Sequence, residues 1–242
     1  MLDLLKSHSS VRLYKDEPIS DEIFYEMLHA AQHAASSNFV QAYSVIRVKD
    51  SVKKNKLAEL SKNQKQFDSA PLALVFCADL KRLEHAARIQ KKDIRAGLTE
   101  NFLVSVIDTA LFSQNFVIAA ESKGYGICYI GGVRNNPELI SEVLELPEFV
   151  VPLFGMTVGV PDESNEVKPR LPVEAILHED TYDEEKYERI LEDYDNVMKD
   201  YYEQRTANKR DNAWTDVMAE FMAKNRREYM LRFLQSKGFL KF

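Results

Sequence analysis

The chain has 242 residues, 45% of them hydrophobic and 29% charged, which is the composition of an ordinary soluble globular protein. Its net charge of −6 argues against nonspecific nucleic-acid binding, which depends on a basic surface. No apolar run approaches the roughly 18 residues of a membrane span, and the N-terminus lacks the apolar core of a signal peptide. We therefore expect a cytoplasmic protein with neither a nucleic-acid nor a membrane partner.

The two cysteines, Cys77 and Cys128, lie far apart in apolar runs and form no CxxC motif. Neither a disulfide framework nor a zinc site is indicated. Buried free thiols are the favoured interpretation, and they suit a reducing compartment. His29 and His33 have the i, i+4 spacing of metal ligands but no third partner, so we expect a surface or packing role and no metal site.

The first predicted elements are a helix and two strands. Ser20 is a typical N-cap, followed by acidic residues in the first turn and by a helical apolar stripe over 23–34. Residues 43–49 are predicted to form a strand, and the polar residues 51–66 a helix and then a loop. The continuous apolar run over 72–78 predicts a strand buried on both faces.

Residues 98–123 form the longest predicted helix, and Gly124 is suited to the C′ position that ends it. Apolar side chains cover most of its circumference, so nearly every side requires burial. The pattern indicates either a central core helix or a helix shared with a second subunit.

Further elements follow the long helix. A short strand is predicted over 126–130, a helix opening at Pro137, and an apolar strand over 153–159. Three prolines exclude regular helix from 161 to 172, which indicates an extended functional or intersubunit arm.

The C-terminal third is predicted to be helical, with one helix around 187–201 and a second over 214–234. No repeat or domain boundary is apparent. We therefore expect one domain over 1–242, in which about 161–242 form an extended arm and a C-terminal helical excursion.

Two polar clusters near the N-terminus are candidates for binding a ligand. The first, His8-Ser9-Ser10-Val11-Arg12, combines hydroxyl groups with a guanidinium that could clamp a phosphate. The second, Ser36-Ser37-Asn38, offers a flat polar wall. One amphipathic helix separates them, so a single fold-back could bring them together. Taken singly, Arg12 is better explained as a solvated charge, and Ser36-Ser37-Asn38 as a polar helix cap.

Three later segments could also bind a ligand. Gly131 and Gly132 either let the backbone approach a ligand closely or form a tight turn. Lys168-Pro169-Arg170 holds two cations in the proline-bearing arm, either as surface charge or as a second grip on an anion. The remaining basic cluster, in an acidic region, consists of Arg205, Lys209 and Arg210, and taken alone it is better explained as a solvated face.

Motifs of several enzyme classes are absent. The sequence contains no GxSxG, HExxH or GxxxxGK[ST], and no GxGxxG follows a strand. A serine hydrolase, a zinc protease, a P-loop protein and a Rossmann dinucleotide site are therefore unsupported.

Taken together, the segments resemble the nitroreductase superfamily, in its oxygen-insensitive NADPH-dependent nitroreductase and flavin reductase branch. The matching pieces include HSSVRLYKDEPIS, AASSNFVQAYSVIRV, SKGYGICYIGGVRNN, VKPRLP and YYEQRTANKRDNAW, in the family's order and over essentially the whole chain. The resemblance implies an α+β fold with a central, mostly antiparallel sheet flanked by helices and a C-terminal helical extension. It also implies an interlocked homodimer with FMN at the subunit interface.

The resemblance also assigns roles to matched positions. The phosphate end of FMN would be held by His8, Ser9, Ser10, Val11 and Arg12. The ring would be contacted by Ser36, Ser37, Asn38 and Gln64, and from its other side by Tyr129, Ile130, Gly131 and Gly132, with Arg134 nearby. The arm would complete the site through Lys168 and Arg170. The 2′-phosphate of NADPH would be recognised by Arg205, Lys209 and Arg210.

No catalytic side chain is expected, because bound FMN would carry the hydride chemistry. The expected activity is ping-pong transfer from NADPH to nitroaromatics, quinones or flavins. One alternative is an NADPH:FMN oxidoreductase that supplies free reduced flavin to a partner. Another, from a different class, is a non-catalytic flavin-binding module.

Overall fold

The structure is a computed structural model that describes residues 1–205 and 212–242. The chain divides into two units. The first comprises Met1–Asn165 and Arg227–Phe242, and the second comprises Glu166–Arg226. The second unit lies within the stretch expected to form the arm and the C-terminal excursion.

A four-stranded sheet forms the centre of the first unit. Its strands are β1 (Tyr43–Arg47), β2 (Leu72–Asp79), β3 (Gly126–Ile130) and β4 (Val150–Gly159). The order is β1-β2-β4-β3, and every neighbouring pair is antiparallel. The predicted antiparallel sheet is therefore confirmed. Strand β2 is buried at every residue, as its continuous apolar run predicted.

Helices cover both faces of this sheet. The helices of the first unit are α1 (Leu2–Lys6), α2 (Asp21–Ala31), α3 (Ser51–Leu60), α4 (Gln66–Ser69), α5 (Lys81–Ile89), α6 (Thr99–Ser122), α7 (Pro137–Val143) and α11 (Met230–Ser236). Because side chains alternate along a strand, Leu74 and Phe76 of β2 pack with α2 and α6 on one face. Val75 and Cys77 pack with α3, α4 and α7 on the other. The site segments are therefore attached to a sheet with a core on each side.

Two predicted helix ends are confirmed by local geometry. The Ser20 side chain accepts the Ile23 N–H, which caps the start of α2. Helix α6 ends before Gly124, whose φ of +82° lies in the left-handed region that glycine enters without a Cβ clash.

Helix α6 is only partly buried within one chain. Its buried side packs on α2 and the sheet, whereas Leu103, Ile107 and Leu111 are 48%, 54% and 43% exposed. These three residues are four apart and form one stripe along the helix. We call Leu103, Ile107 and Leu111 the α6 stripe. The length and hydropathy of α6 also meet the criteria for a membrane span, a test that core helices of soluble proteins pass as well.

The second unit is helical in its described part. Its helices are α8 (Val173–Ile176), α9 (Tyr187–Gln204) and α10 (Trp214–Ala223). Tyr194, Met198 and Tyr202 of α9 form its buried centre.

The prediction of one helix over 214–234 is wrong. Helix α10 ends at Ala223, and Lys224 has an extended backbone. Arg227 is left-handed, with a φ of +50°. The polar run over 224–228 interrupts the apolar periodicity, so a helix continued there would have no apolar face to bury.

Candidate functional site

The N-terminal cluster, residues 8–12, lies along the outer edge of β3. Ser10 forms a parallel bridge with Ile127, and the Val11 N–H donates to the Ile127 carbonyl at 2.8 Å. Val11 is buried and Arg12 is exposed, because successive side chains of an extended segment point to opposite sides. The sheet therefore holds this backbone while the Arg12 side chain stays open.

Glu163 fixes the Arg12 end of the cluster. Its Oε1 accepts the backbone N–H groups of Arg12 at 2.5 Å and Leu13 at 3.1 Å. Burial acts to raise the pKa of Glu163, but these hydrogen bonds outweigh it and hold the pKa below its ordinary value. The Arg12 guanidinium itself forms no hydrogen bond or ion pair with any residue that the structure describes.

His8 fixes the other end of the cluster. Its Nδ1 lies 2.5 Å from Oε1 of Glu121, in the last turn of α6. Ser9, between the two fixed ends, is half-buried. The N-terminal cluster is thus attached to the C-terminal end of α6 as well as to β3.

Strand β3 runs directly into a 3₁₀ turn, Gly131–Asn135, which carries the predicted glycine pair. A Cβ on Gly132 would lie 2.5 Å from the carbonyl oxygen of Ser61, whereas one on Gly131 would come no closer than 3.4 Å to the end of the Arg134 side chain. Packing of the turn against the end of α3 therefore requires glycine at 132. Ile130 and Gly131 thus lie at the end of β3, the edge strand with which the N-terminal cluster pairs.

Arg134 and Arg227 brace this turn from inside the first unit. The Arg134 guanidinium donates to the Leu153 carbonyl, and burial, with the charge of Arg227, lowers its pKa. Arg227 Nη2 donates to the Gly131 carbonyl at 3.0 Å and to Asn135 Oδ1 at 2.8 Å. Sequence reasoning missed Arg227, whose signal was only a charged run read as part of a helix.

Tyr129 is the last polar side chain before the turn. It is 36% exposed, packs edge-on against Phe154, and donates its hydroxyl to Ser113 Oγ of α6 at 3.2 Å. Burial raises the pKa of Tyr129, so its hydroxyl stays neutral at physiological pH. The exposed ring edge can contact a flat ligand without adding charge.

The ring-side loop, residues 36–41, is held by a carboxylate that sequence reasoning missed. Asp108 of α6 is fully buried and accepts the Ser36 hydroxyl at 2.7 Å and the Ser37 N–H at 3.1 Å. Asn38 and Phe39 have φ of +46° and +59°. Left-handed backbone costs a non-glycine residue about 1–2 kcal/mol, although asparagine tolerates it best. The loop therefore depends on external bonds to keep its shape.

Within a single chain, the two N-terminal clusters are attached to α6 at separate positions. The ring-side loop contacts α6 at Asp108, and His8 contacts it at Glu121. Those two positions are thirteen residues apart, about 20 Å along an α-helix. The helix between the clusters lies along α6 and holds their ends apart.

Gln64 lies in the loop between α3 and α4. Its Oε1 accepts from Gln66 Nε2 at 2.7 Å, and its backbone N–H donates to the Ala58 carbonyl at 3.0 Å. The side chain is half-buried. This bond orients the amide and leaves its NH₂ group as a donor for a ligand.

The two cations of the arm belong to the second unit. Lys168 Nζ lies 5.5 Å from the ring centroid of Tyr202, and Arg170 Nη1 donates to the Lys168 carbonyl at 2.6 Å. Both side chains are exposed. A cavity of about 330 Å³ beside them has an aromatic and methionine lining that includes Trp214.

Arg205 directly follows α9. Its guanidinium carbon lies 5.6 Å from the ring centroid of Tyr201, which orients the cation by a cation–π contact. Lys209 and Arg210 lie outside the described residues, so their predicted role stays a prediction.

The predicted free thiols are confirmed, since Cys77 and Cys128 are both buried and unpaired. Burial raises the pKa of each thiol, which keeps both protonated and unreactive. His29 and His33 pack edge to face, with ring centroids 5.2 Å apart.

Family models match both parts of the chain. The model of the nitroreductase family matches residues 5–160, and the model of the C-terminal domain of the nitroreductase family matches residues 168–241. The match to the second model begins at the first cation of the arm, Lys168.

Individual relatives match over nearly their full length. A Cr(VI) reductase of Pseudomonas sp. (strain G-1) is 55% identical, with 98% of each chain covered. An FMN reductase (NADPH) of Bacillus subtilis (strain 168) is 41% identical over 99% of this chain and 98% of the relative. The solved structure of the NfrA1 nitroreductase from B. subtilis superposes with a TM-score of 0.95 at 40% identity, covering 100% of this chain and 99% of that one. The chain therefore belongs to the nitroreductase family.

Proposed function

We propose that the protein is an FMN-dependent oxidoreductase that takes hydride from NADPH and passes the electrons to small flat acceptors. The observation that carries this proposal is the shared edge of β3. There the backbone of Ser10 and Val11 pairs with Ile127, and the same strand continues into Gly131 and Gly132. A cationic, hydroxyl-bearing segment thus pairs with the strand that leads into a turn opening with two glycines.

The donor set at this edge fits FMN. Arg12 has an unengaged guanidinium, and the preceding Ser9 and Ser10 are half-buried hydroxyl residues of the same segment. Guanidinium and hydroxyl donors are the groups that bind a phosphate monoester. The neutral Tyr129 edge and the Gln64 amide are suited to a polar aromatic ring. When bound, FMN would supply the hydride and electron transfer, for which the described residues offer no nucleophile and base.

The side chains at this edge would bind and orient rather than move protons. Arg227 and Arg134 hold the turn in place through backbone carbonyls. Their positive charge lies next to that turn and would favour the negative charge that a flavin ring gains on reduction. Lys168 and Arg170, in the second unit, are proposed to contribute cations to the phosphate and ribityl chain.

Arg205 supports NADPH as the reductant. Its guanidinium is held against the Tyr201 ring, and a fixed guanidinium is well suited to the dianionic 2′-phosphate that distinguishes NADPH from NADH. The relative named FMN reductase (NADPH) supports the same assignment. Lys209 and Arg210 are proposed to act with it.

We propose further that the active form is a homodimer. The α6 stripe leaves three large apolar side chains 43–54% exposed in one chain, which is unfavourable unless a partner covers them. The ring-side loop also lies about 20 Å along α6 from the His8 end of the first cluster. A second copy, packed through α6, is proposed to bring its own ring-side loop to the FMN site of the first.

Nitroaromatics, quinones and free flavins are the proposed acceptors, and chromate joins them because the relative that is 55% identical is named a Cr(VI) reductase. Supply of free reduced FMN to a partner is the second candidate, favoured by the relative named FMN reductase. Storage of FMN without catalysis is disfavoured, because storage does not require a cation placed for NADPH. The buried thiols of Cys77 and Cys128 support a cytoplasmic location.

The test is to purify the protein, record its visible spectrum, and measure turnover with NADPH and each acceptor. The protein should be yellow and should use several acceptors with comparable kcat/KM. An overwhelming preference for free FMN would favour the second candidate. A colourless protein that gains no flavin absorbance on addition of FMN would overturn the proposal.

A further inference from the structure

Asp108 is a buried carboxylate whose bonds all go to one segment. Its Oδ2 accepts the Ser36 hydroxyl at 2.7 Å and the Ala42 N–H at 3.1 Å, and its Oδ1 accepts the Ser37 N–H at 3.1 Å. It forms no ion pair with a lysine, arginine or histidine of the described residues. A buried carboxyl group that accepts from donors at both ends of the ring-side loop is an anchor for that loop.

The anchored loop cannot rely on its own packing. Asn38, Phe39 and Gln41 all have left-handed backbone, with φ of +46°, +59° and +51°. Phe39 is 81% exposed, so the bulkiest side chain of the loop contributes little burial within this chain. Such a conformation persists only where surrounding contacts determine it.

Asp108 works together with two other side chains. Ser36 Oγ accepts the Gln41 N–H at 2.7 Å while donating to Asp108, so the bond passes across the loop from one end to the other. Arg82, after β2, donates to the carbonyls of Gln41 at 2.9 Å and Tyr43 at 3.1 Å. Asp108 therefore holds the Ser37 and Ala42 N–H groups, and Arg82 holds the Gln41 carbonyl at the end of the loop.

We propose that Asp108 is a positioning residue, which holds residues 36–41 in the conformation that contacts the flavin ring. The inference rests on the proposed function, because it needs FMN as the ligand. A carboxylate is required because all three partners are donors. An asparagine would turn its NH₂ group toward either the Ser37 N–H or the Ala42 N–H and leave that amide unpaired.

The experiment compares Asp108→Asn with a matched control, Thr109→Val, in the flavin-free protein and with added FMN. Thr109 is the next residue on α6 and is also fully buried, but its hydroxyl donates to Ser105 and Cys77 carbonyls, away from the loop. Two quantities are measured: the dissociation constant of FMN, and the hydrogen exchange of residues 36–42 without FMN. Sedimentation of each variant reports whether it keeps the wild-type assembly.

Asp108→Asn is expected to raise the dissociation constant of FMN by about tenfold or more. It should speed exchange in residues 36–42 while the β2 amides stay as protected as in wild type. Thr109→Val should leave both quantities within about twofold of wild type, since its lost bonds lie outside the loop. If Asp108→Asn fails to fold, Ser36→Ala is used instead, since it removes the bridge between Asp108 and Gln41 with less change to the core. Because Ser36 is itself expected to contact the ring, this variant is judged by the exchange of residues 36–42 without FMN.

The outcomes separate the inference from the proposed function. The positioning role alone would be overturned if wild type binds FMN and Asp108→Asn (or Ser36→Ala) binds it equally well, with the amides of residues 36–42 as protected from exchange as in wild type. Equal losses in Asp108→Asn and Thr109→Val would also overturn it, because they would indicate general weakening of α6. Wild type that binds no FMN would overturn the proposed function itself.

Discussion

At the residue scale, the site depends on side chains that form hydrogen bonds to main-chain groups rather than on side chains that react. Glu163, Asp108 and Arg227 each bond to main-chain groups of a different segment of the site. Arg12, in contrast, has its guanidinium unengaged by the described residues. Glu163, Asp108 and Arg227 thus fix the backbone of the site, and the guanidinium of Arg12 is left to bind the ligand.

Glu163→Gln should lower the free energy of unfolding at neutral pH, and this loss should shrink as the pH falls below about 4.5. Two backbone hydrogen bonds hold the pKa of Glu163 below 4.5 in the folded protein, against the opposing effect of burial. A depressed pKa contributes stability that is present above about pH 4.5 and is lost as the pH falls through the lower folded value. Urea unfolding from pH 7 to pH 3 should show wild type and variant converging toward acid.

The neighbouring Asp162→Asn serves as the control for Glu163→Gln, because only the backbone N–H of Asp162 bonds to the Leu13 carbonyl. Its stability difference from wild type should not follow the same pH course. A Glu163→Gln difference that stays constant down to pH 3 would contradict the account of this carboxylate.

Arg205→Ala should raise the KM for NADPH by about tenfold and leave the KM for NADH within about twofold, because only NADPH has a 2′-phosphate for the guanidinium to bind. Arg189 is an exposed arginine on α9, the helix that Arg205 follows, and Arg189→Ala should change neither KM. Steady-state kinetics with both nucleotides provide the measurement. Equal effects of Arg205→Ala on the two nucleotides would remove Arg205 from this role.

At the element scale, the turn after β3 shows how strand, turn and helix position the site together. Strand β3 pairs with β4 along its length, the 3₁₀ turn follows at once, and Gly132 packs on the carbonyl of Ser61 at the end of α3. The turn is therefore fixed both by the sheet and by the helix layer behind it.

Gly132→Ala and Gly131→Ala form a matched pair at this turn. The new methyl group would lie 2.5 Å from a backbone oxygen at 132, but no closer than 3.4 Å to the end of the Arg134 side chain at 131, an ordinary contact distance. Overpacking against rigid backbone should destabilise Gly132→Ala by about 1–3 kcal/mol and weaken FMN binding. Thermal unfolding should detect this loss, with Gly131→Ala close to wild type. Equal stability of the two variants would contradict the packing account.

Most elements could be predicted from the sequence because their signals are local. The apolar run of β2, the Ser20 cap of α2 and Gly124 after α6 each act within a few residues. Helix α5 (Lys81–Ile89) was not predicted, since none of its residues is buried and polar residues outnumber apolar ones along it.

The candidate site was predictable in its residue types but not in its geometry. Its segments carry recognisable hydroxyls, glycines and cations, whereas Asp108 and Arg227 act through bonds to residues 71 and 96 positions away. Their signals are an acid in an apolar helix and a cation in a polar run, and neither names its partner. The separation of the two N-terminal clusters likewise depends on where α6 lies, which no local pattern encodes.

At the scale of the whole molecule, the α6 stripe is an apolar surface that a single chain leaves exposed to solvent. Ile107 lies at its centre and directly beside Asp108, the anchor of the ring-side loop. A partner packed on this stripe would therefore lie close to the loop that we propose it shares. Assembly and cofactor binding are expected to depend on each other for this reason.

Ile107→Asp should convert the proposed dimer to a monomer and lower its FMN content, because the proposed apolar interface would bury a charge without a partner. Val52→Asp is the control, since Val52 is 74% exposed on α3, away from the stripe. Sedimentation and the flavin-to-protein absorbance ratio measure the two effects. An Ile107→Asp protein that remains dimeric with full flavin would place the interface elsewhere.

The central claim, that this chain binds FMN and reduces it with NADPH, is tested most directly by anaerobic titration of the flavin-loaded protein with NADPH. We predict that the visible flavin absorbance bleaches in proportion to the NADPH added and returns on addition of a quinone or nitroaromatic acceptor. Bound flavin that keeps its absorbance in excess NADPH would contradict the account and favour a non-catalytic flavin-binding module.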